Sequence, residues 1–141
     1  MKISKLFLAA IFFALPLSSA GAYAQGLCNR LTEAEVAAAV GTPLQRSPTD
    51  PCRFGGMFKS FSIIIHAGDG PRFGEYAASA RREFKDTEAV PGIGSDAIFF
   101  GTALAVKAKG DVIVVTMMLG KSRPEKIALA KAVAQKLLAH M

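Results

Sequence analysis

VIVVTMML, residues 112–119, decides the fold. It opens on five β-branched residues, which suit a pleated strand. Apart from Thr116 it is apolar at both odd and even positions. Successive strand residues point to opposite faces, so this segment is read as a central strand, covered on both sides or covered on one and used as an interface on the other. Gly110-Asp111 precedes it as a tight turn. Before the turn, residues 103–109 (ALAVKAK) alternate, with Leu104, Val106 and Ala108 on one face and Lys107 and Lys109 on the other. Gly101-Thr102 separates them from a further strand at residues 96–100 (DAIFF). These three runs are read as strands of an antiparallel sheet.

Two more strands are read upstream. Residues 52–54 lead into the Gly55-Gly56 turn, and Met57 begins the return. Residues 60–67 place Phe61, Ile63 and Ile65 on one face and Ser62, Ile64 and His66 on the other. Three helices complete the pattern. Thr32 and Glu35 form a T-x-x-E capping box for a helix over residues 33–40, stapled by Leu31 and Val36 and ended by Gly41 and Pro43. Pro71 opens a second helix whose stripe is Phe73, Tyr76, Ala77, Ala80 and Phe84. Ser122 and Glu125 read as a second capping box, opening a helix faced by Ile127, Ala130, Val133, Ala134 and Leu137. Residues 45–51 (QRSPTDP) and 87–94 are read as loops. The expected fold class is α+β: an antiparallel sheet of about five strands with three helices packed on it, in the order α-β-β-α-β-β-β-α.

The first 24 residues are read as a cleaved export signal. Lys2 and Lys5 form the positive start, residues 6–15 (LFLAAIFFAL) the apolar run, and Ala22-Tyr23-Ala24 the small-residue cleavage motif. A spanning helix needs about 20 apolar residues, roughly twice this run. Cys28 is preceded by Leu27, with Gln25 three positions before it, so no lipobox is present. The expected mature protein is one domain, residues 25–141, located in the periplasm or secreted, with no transmembrane segment after cleavage. Lys2 and Lys5 are two of 17 basic residues and the signal holds none of the 11 acidic ones, so 15 against 11 leaves the mature chain at +4. Charges of both signs are interspersed, which excludes a nucleic-acid stripe and leaves a weak attraction to anionic surfaces such as lipid, cell-wall polymer or an acidic partner.

Cys28 and Cys52 are the only cysteines. An even pair in an oxidising compartment predicts a disulfide. Neither a C-x-x-C redox motif nor a zinc ligand set is present. No cofactor and no metal site are implied, and no complete catalytic set is visible. His66 and Asp69, three apart, are the weak binding candidates; a strand-end histidine is more often simply hydrogen-bonded. No serine sits in G-x-S-x-G. The glycines of residues 68–74 match neither the Rossmann nor the Walker spacing, so a plain turn is the reading. Met57, Met117 and Met118 suggest copper(I), but adjacent strand residues diverge and core filling accounts for them better.

One resemblance is carried by Cys28, the run Leu31-Thr32-x-x-Glu35-Val36, Gly41, Cys52-Arg53-Phe54, residues 90–97 (VPGIGSDA), and the closing hairpin with its alanine-rich helix. In this order they resemble the actinobacterial lipoproteins and sensor-type ectodomains with a PsbP-like α/β sandwich. The chain departs from those lipoproteins in having no lipobox. The resemblance implies a binding or accessory role and carries no catalytic residues over. The leading expectation is therefore an exported, non-catalytic binding or interaction module of the bacterial cell envelope, acting on an unknown envelope protein or small ligand. The alternative is a small periplasmic enzyme or metal-handling protein using His66 and Asp69. A closed polar pocket around His66 would favour the alternative, and an open groove or sheet face the binding module.

Overall fold

β6, Asp111–Met117, is the strand around which the rest of the chain is arranged. It pairs antiparallel with β2 (Ser60–His66) on one side and β5 (Ala103–Ala108) on the other. The computed structural model describes residues 19–141. Residues 1–18 of the expected signal lie outside the described residues. Beyond β2 lies β1, Arg53–Gly55; beyond β5 lie β4, Asp96–Phe100, and β3, Glu88–Ala89. The strand order is β1-β2-β6-β5-β4-β3, antiparallel throughout.

The α+β class with an antiparallel sheet holds, with different counts. Six strands and four helices form among the described residues, where five and three were expected. The extra strand is β3, two residues inside the stretch read as loop, held because Val90 donates to the Ala97 carbonyl at 2.9 Å beside β4. The extra helix is α1, Ser19–Arg30. It runs through the expected cleavage position between Ala24 and Gln25. The second strand begins at Ser60, as read, and ends at His66, one residue earlier; residues 57–59, where the return was expected to start, form the hairpin bend. The central strand ends at Met117, and Met118 makes one last bond to the Ser60 carbonyl.

The faces of β6 divide the interior in two. Ile113, Val115 and Met117 point inward with Phe61, Ile63, Ile65, Leu104, Val106 and Phe99. α2 (Glu33–Val40) and α4 (Arg123–Leu138) close this face with Val36, Val40, Ala130, Val133, Ala134 and Leu137. Thr32 caps α2 with the full reciprocal box. Ser122 caps α4 with its hydroxyl, but the Glu125 carboxylate accepts from the Lys121 amide rather than returning to Ser122. Leu27 and Cys28 of α1 join the inward core, and the sulfurs of Cys28 and Cys52 stand at bonding distance, 2.07 Å.

Two arginines tie loops to this core. Arg46 donates to the carbonyls of Cys28, Pro51 and Leu31 and lies 4.7 Å over the Phe54 ring. Arg123 pairs with Asp86 at 2.7 Å and Glu88 at 3.2 Å and lies over Phe99. On the outer face one helix, α3 (Phe73–Glu83), packs Phe73, Ala77 and Ala80 onto Val112, Val114, Ala105 and Ile98. The rest of that face is uncovered: Ile64, opposite Val114 on β2, stays 52% exposed.

Candidate functional site

His66 ends β2 on the outer face, directly opposite Val112. The strand's alternation puts it there, in phase with Ser62 and Ile64. The chain then reverses in a turn held by two crossings. The Gly68 amide donates to Asp111 Oδ1 at 2.9 Å, and the Gly70 amide donates to the Gly110 carbonyl at 2.9 Å. A Cβ at Gly70 would lie 2.7 Å from the Gly110 backbone, so only glycine allows this approach. A short 3-10 turn, Gly70–Arg72, passes into α3. The second Asp111 oxygen accepts from the Tyr23 hydroxyl of α1 at 3.0 Å. Asp111 is thus a buried carboxylate with two donors, and it fixes the turn that carries the site.

This path sets α3 beside the end of β2 and leaves an open groove of about 350 Å³ between them. His66, Asp69, Arg72, Glu75, Tyr76 and Val112 line it. The structure therefore brings the two sequence candidates, His66 and Asp69, to the same groove. Arg72, Glu75 and Tyr76 are site residues that the sequence reading missed. The sequence places Tyr76 only in the apolar stripe of its helix. A signal was present. Asp69, Arg72, Glu75 and Tyr76 recur at three- and four-residue spacing, which stacks them on one side of the turn and helix.

The floor is apolar and the walls are charged. The Tyr76 ring stands 6.5 Å from the His66 ring, tilted by 46°. Tyr76 in turn meets Phe100 edge-on at 5.9 Å, and Phe100 meets Phe84 at 5.1 Å. An aromatic row thus runs from the groove along the underside of α3. Burial raises the Tyr76 phenol above its ordinary pKa, so it remains a neutral hydrogen-bonding group at physiological pH. Asp69 stands at the N-cap of the 3-10 turn, but its side chain makes no capping bond. The ion pairs of the described residues lie elsewhere, at Arg123 and at His140. The charged side chains of the groove are therefore not committed to one another by ion pairing.

Such a site can stack a flat or aliphatic group on Tyr76, His66 and Val112 while Arg72 and the two carboxylates meet charge at its edge. Among the described residues no group of three or more His, Cys, Asp or Glu side chains is positioned to hold a metal ion. The groove lining contains no serine, threonine or cysteine. The glycine turn at residues 68–74 is no anion cradle, because the amides of Gly68, Asp69, Gly70 and Arg72 already donate within the protein. Core filling accounts for Met117, which is fully buried, but not for Met57 and Met118, which are exposed. No described helix is long and apolar enough to cross a membrane. Comparison of the chain with family models, characterised proteins and solved structures yields no match.

Proposed function

We propose that the protein is an exported binding protein of the bacterial cell envelope, without catalysis of its own, and that it holds its ligand in the groove between β2 and α3. The observation that carries this reading is the groove itself, an open hollow with an apolar, aromatic floor and charged side chains of both signs at its rim. Sites of this composition bind amphipathic molecules, the apolar body supplying affinity and a few polar groups fixing orientation. The periplasm or the extracellular space is the compartment, supported by the apolar N-terminal run and by the Cys28–Cys52 pair.

The exported protein, recovered from its native envelope, should carry a bound molecule detectable by mass spectrometry. His66→Ala and Tyr76→Ala should each release it while the circular dichroism stays unchanged. If neither substitution alters what co-purifies, the groove reading fails. A second reading, a small periplasmic enzyme or metal-handling protein, is favoured by one observation, that His66 and Asp69 line the same groove. Conversion of the bound molecule by wild type but not by His66→Ala would establish that reading instead.

A further inference from the structure

The hairpin between β1 and β2 carries the most exposed large apolar side chains described, Met57 at 84% and Phe58 at 83%. Two adjacent apolar side chains this exposed at the apex of a turn have no folding role. The turn is nevertheless a defined shape. Gly56 donates to the Lys59 carbonyl at 3.1 Å, and Gly55, at φ +94°, lies where a Cβ would be 2.0 Å from that same carbonyl oxygen. Met118, half exposed, joins Phe58, Lys59 and Lys121 around one hollow beside the tip. Met57, Lys59 and Arg53 border the hollow on the other side. The only carboxylate lining either hollow is Glu125, which is engaged with the Lys121 amide.

We infer that this tip docks on an anionic lipid bilayer, Met57, Phe58 and Met118 entering the headgroup layer and Lys59, Lys121 and Arg53 pairing with the lipid phosphates. An apolar apex in a ring of cations is the arrangement that interfacial binding requires, since apolar burial and attraction to anionic lipid add. A second copy of the chain fits worse, because a twofold contact at the tip would set Lys59 and Lys121 against their own images. Protein interfaces are also depleted in lysine, whereas anionic bilayers attract it. The inference rests on the binding reading for its compartment alone. The tip precedes Ser60 and the groove lies at His66, about 20 Å away along β2, so the two sites fail separately.

The test is co-sedimentation of the exported protein with vesicles, either phosphatidylcholine alone or phosphatidylcholine mixed with phosphatidylglycerol. Binding should require the phosphatidylglycerol and should vanish near 1 M salt, where the screening length falls to about 3 Å. The double variant Met57→Ser, Phe58→Ser should lose about a hundredfold in partitioning, from the apolar area no longer buried. Lys59→Gln and Lys121→Gln should each lose about fivefold. All these side chains are exposed, so thermal midpoints should match wild type. Equal binding to both vesicle types, insensitive to salt, would show that Lys59, Lys121 and Arg53 take no part and overturn the proposal. It also falls if the variants bind like wild type, if no vesicle is bound, or if light scattering shows a dimer that the double variant abolishes. Loss of groove ligand in His66→Ala with vesicle binding intact would leave this inference standing.

Discussion

The two faces of the sheet are made by the same strands and treated in opposite ways. On the inward face, three helices, a disulfide and the Arg46 and Arg123 anchors close over Ile113, Val115 and Met117. On the outward face, α3 alone covers Val112 and Val114, while Ile64 and His66 stay open. Alternate residues of β6 therefore serve different ends. One set is sealed in a dry core whose burial stabilises the fold, and the other is covered only as far as one helix reaches. The groove sits at the edge of that cover, where surface stays open without a gap in the main core.

The sharpest way to break this comparison is a matched pair of carboxylates. Val115→Asp places a charge among fully buried side chains, where no partner exists. It should leave no folded protein at room temperature, a loss of about 5 kcal/mol or more. Val114→Asp is also buried, but its neighbour Ile64 is open to water. A small displacement of α3 would wet the new carboxylate, so its loss should be severe yet smaller, about 3 kcal/mol. Urea midpoints of the two variants measure the difference. Equal losses would mean that the outer face is as dry as the inner one.

The disulfide comes next. It closes a sequence separation of 24 residues, tying α1 to the chain just before β1. Cys28→Ser with Cys52→Ser should cost about 3 kcal/mol on the chain-entropy model. The effect belongs to the inward face, so binding at the groove should persist wherever the variant remains folded. Loss of groove binding at temperatures where circular dichroism still reports the native fold would show that the faces are coupled.

The two faces were unequally legible in the sequence. The inward one could be read because its signals are local or periodic. The Thr32–Glu35 box, the alternation of Phe61, Ile63 and Ile65, and the doubly apolar run of β6 each act over a few residues. The outward site depends on tertiary placement. Nothing near Tyr76 in the chain says that Phe100 will stand beneath it, or that Gly110 will meet Gly70. Arg46 was hidden for the same reason: it lies in a turn-rich segment, and its three carbonyl partners come from two separated stretches of chain. β3 is too short to carry a pattern, and residues 19–24 of α1 were read as part of the signal. The Met57–Phe58 tip is legible as a turn, but its exposure is not, since an apolar pair after Gly-Gly reads equally well as the start of a strand.

Asp111 connects the faces at their margin, and Asp111→Ala should expose the link. The substitution leaves the Gly68 amide without its acceptor and frees the Tyr23 hydroxyl. A cost of about 2 kcal/mol is expected. The groove should lose its ligand as well, because the turn holding Asp69 and Arg72 is no longer fixed. Tyr23→Phe separates the contributions, removing one bond for about 1 kcal/mol in a chain that keeps residue 23. It should do nothing to an exported protein that begins at Gln25.

The smallest expected effect is a pH dependence confined to the inward layer. Glu35 is held below its ordinary value of 4.5, first by the Thr32 amide that donates to it and then by the His140 ring, which lies 2.9 Å from both carboxylate oxygens. Because the folded carboxyl is the stronger acid, it binds fewer protons than the unfolded one as the pH falls below 4.5. The contribution is therefore complete above the unfolded value and is lost as the pH drops through the folded one. Glu35→Gln should flatten the fall of the thermal midpoint in that acid window while leaving groove binding at neutral pH unchanged. A variant whose midpoint falls as steeply as wild type would show that the contact between α2 and the end of α4 does not set acid stability. The slope would then belong to other carboxylates of the protein.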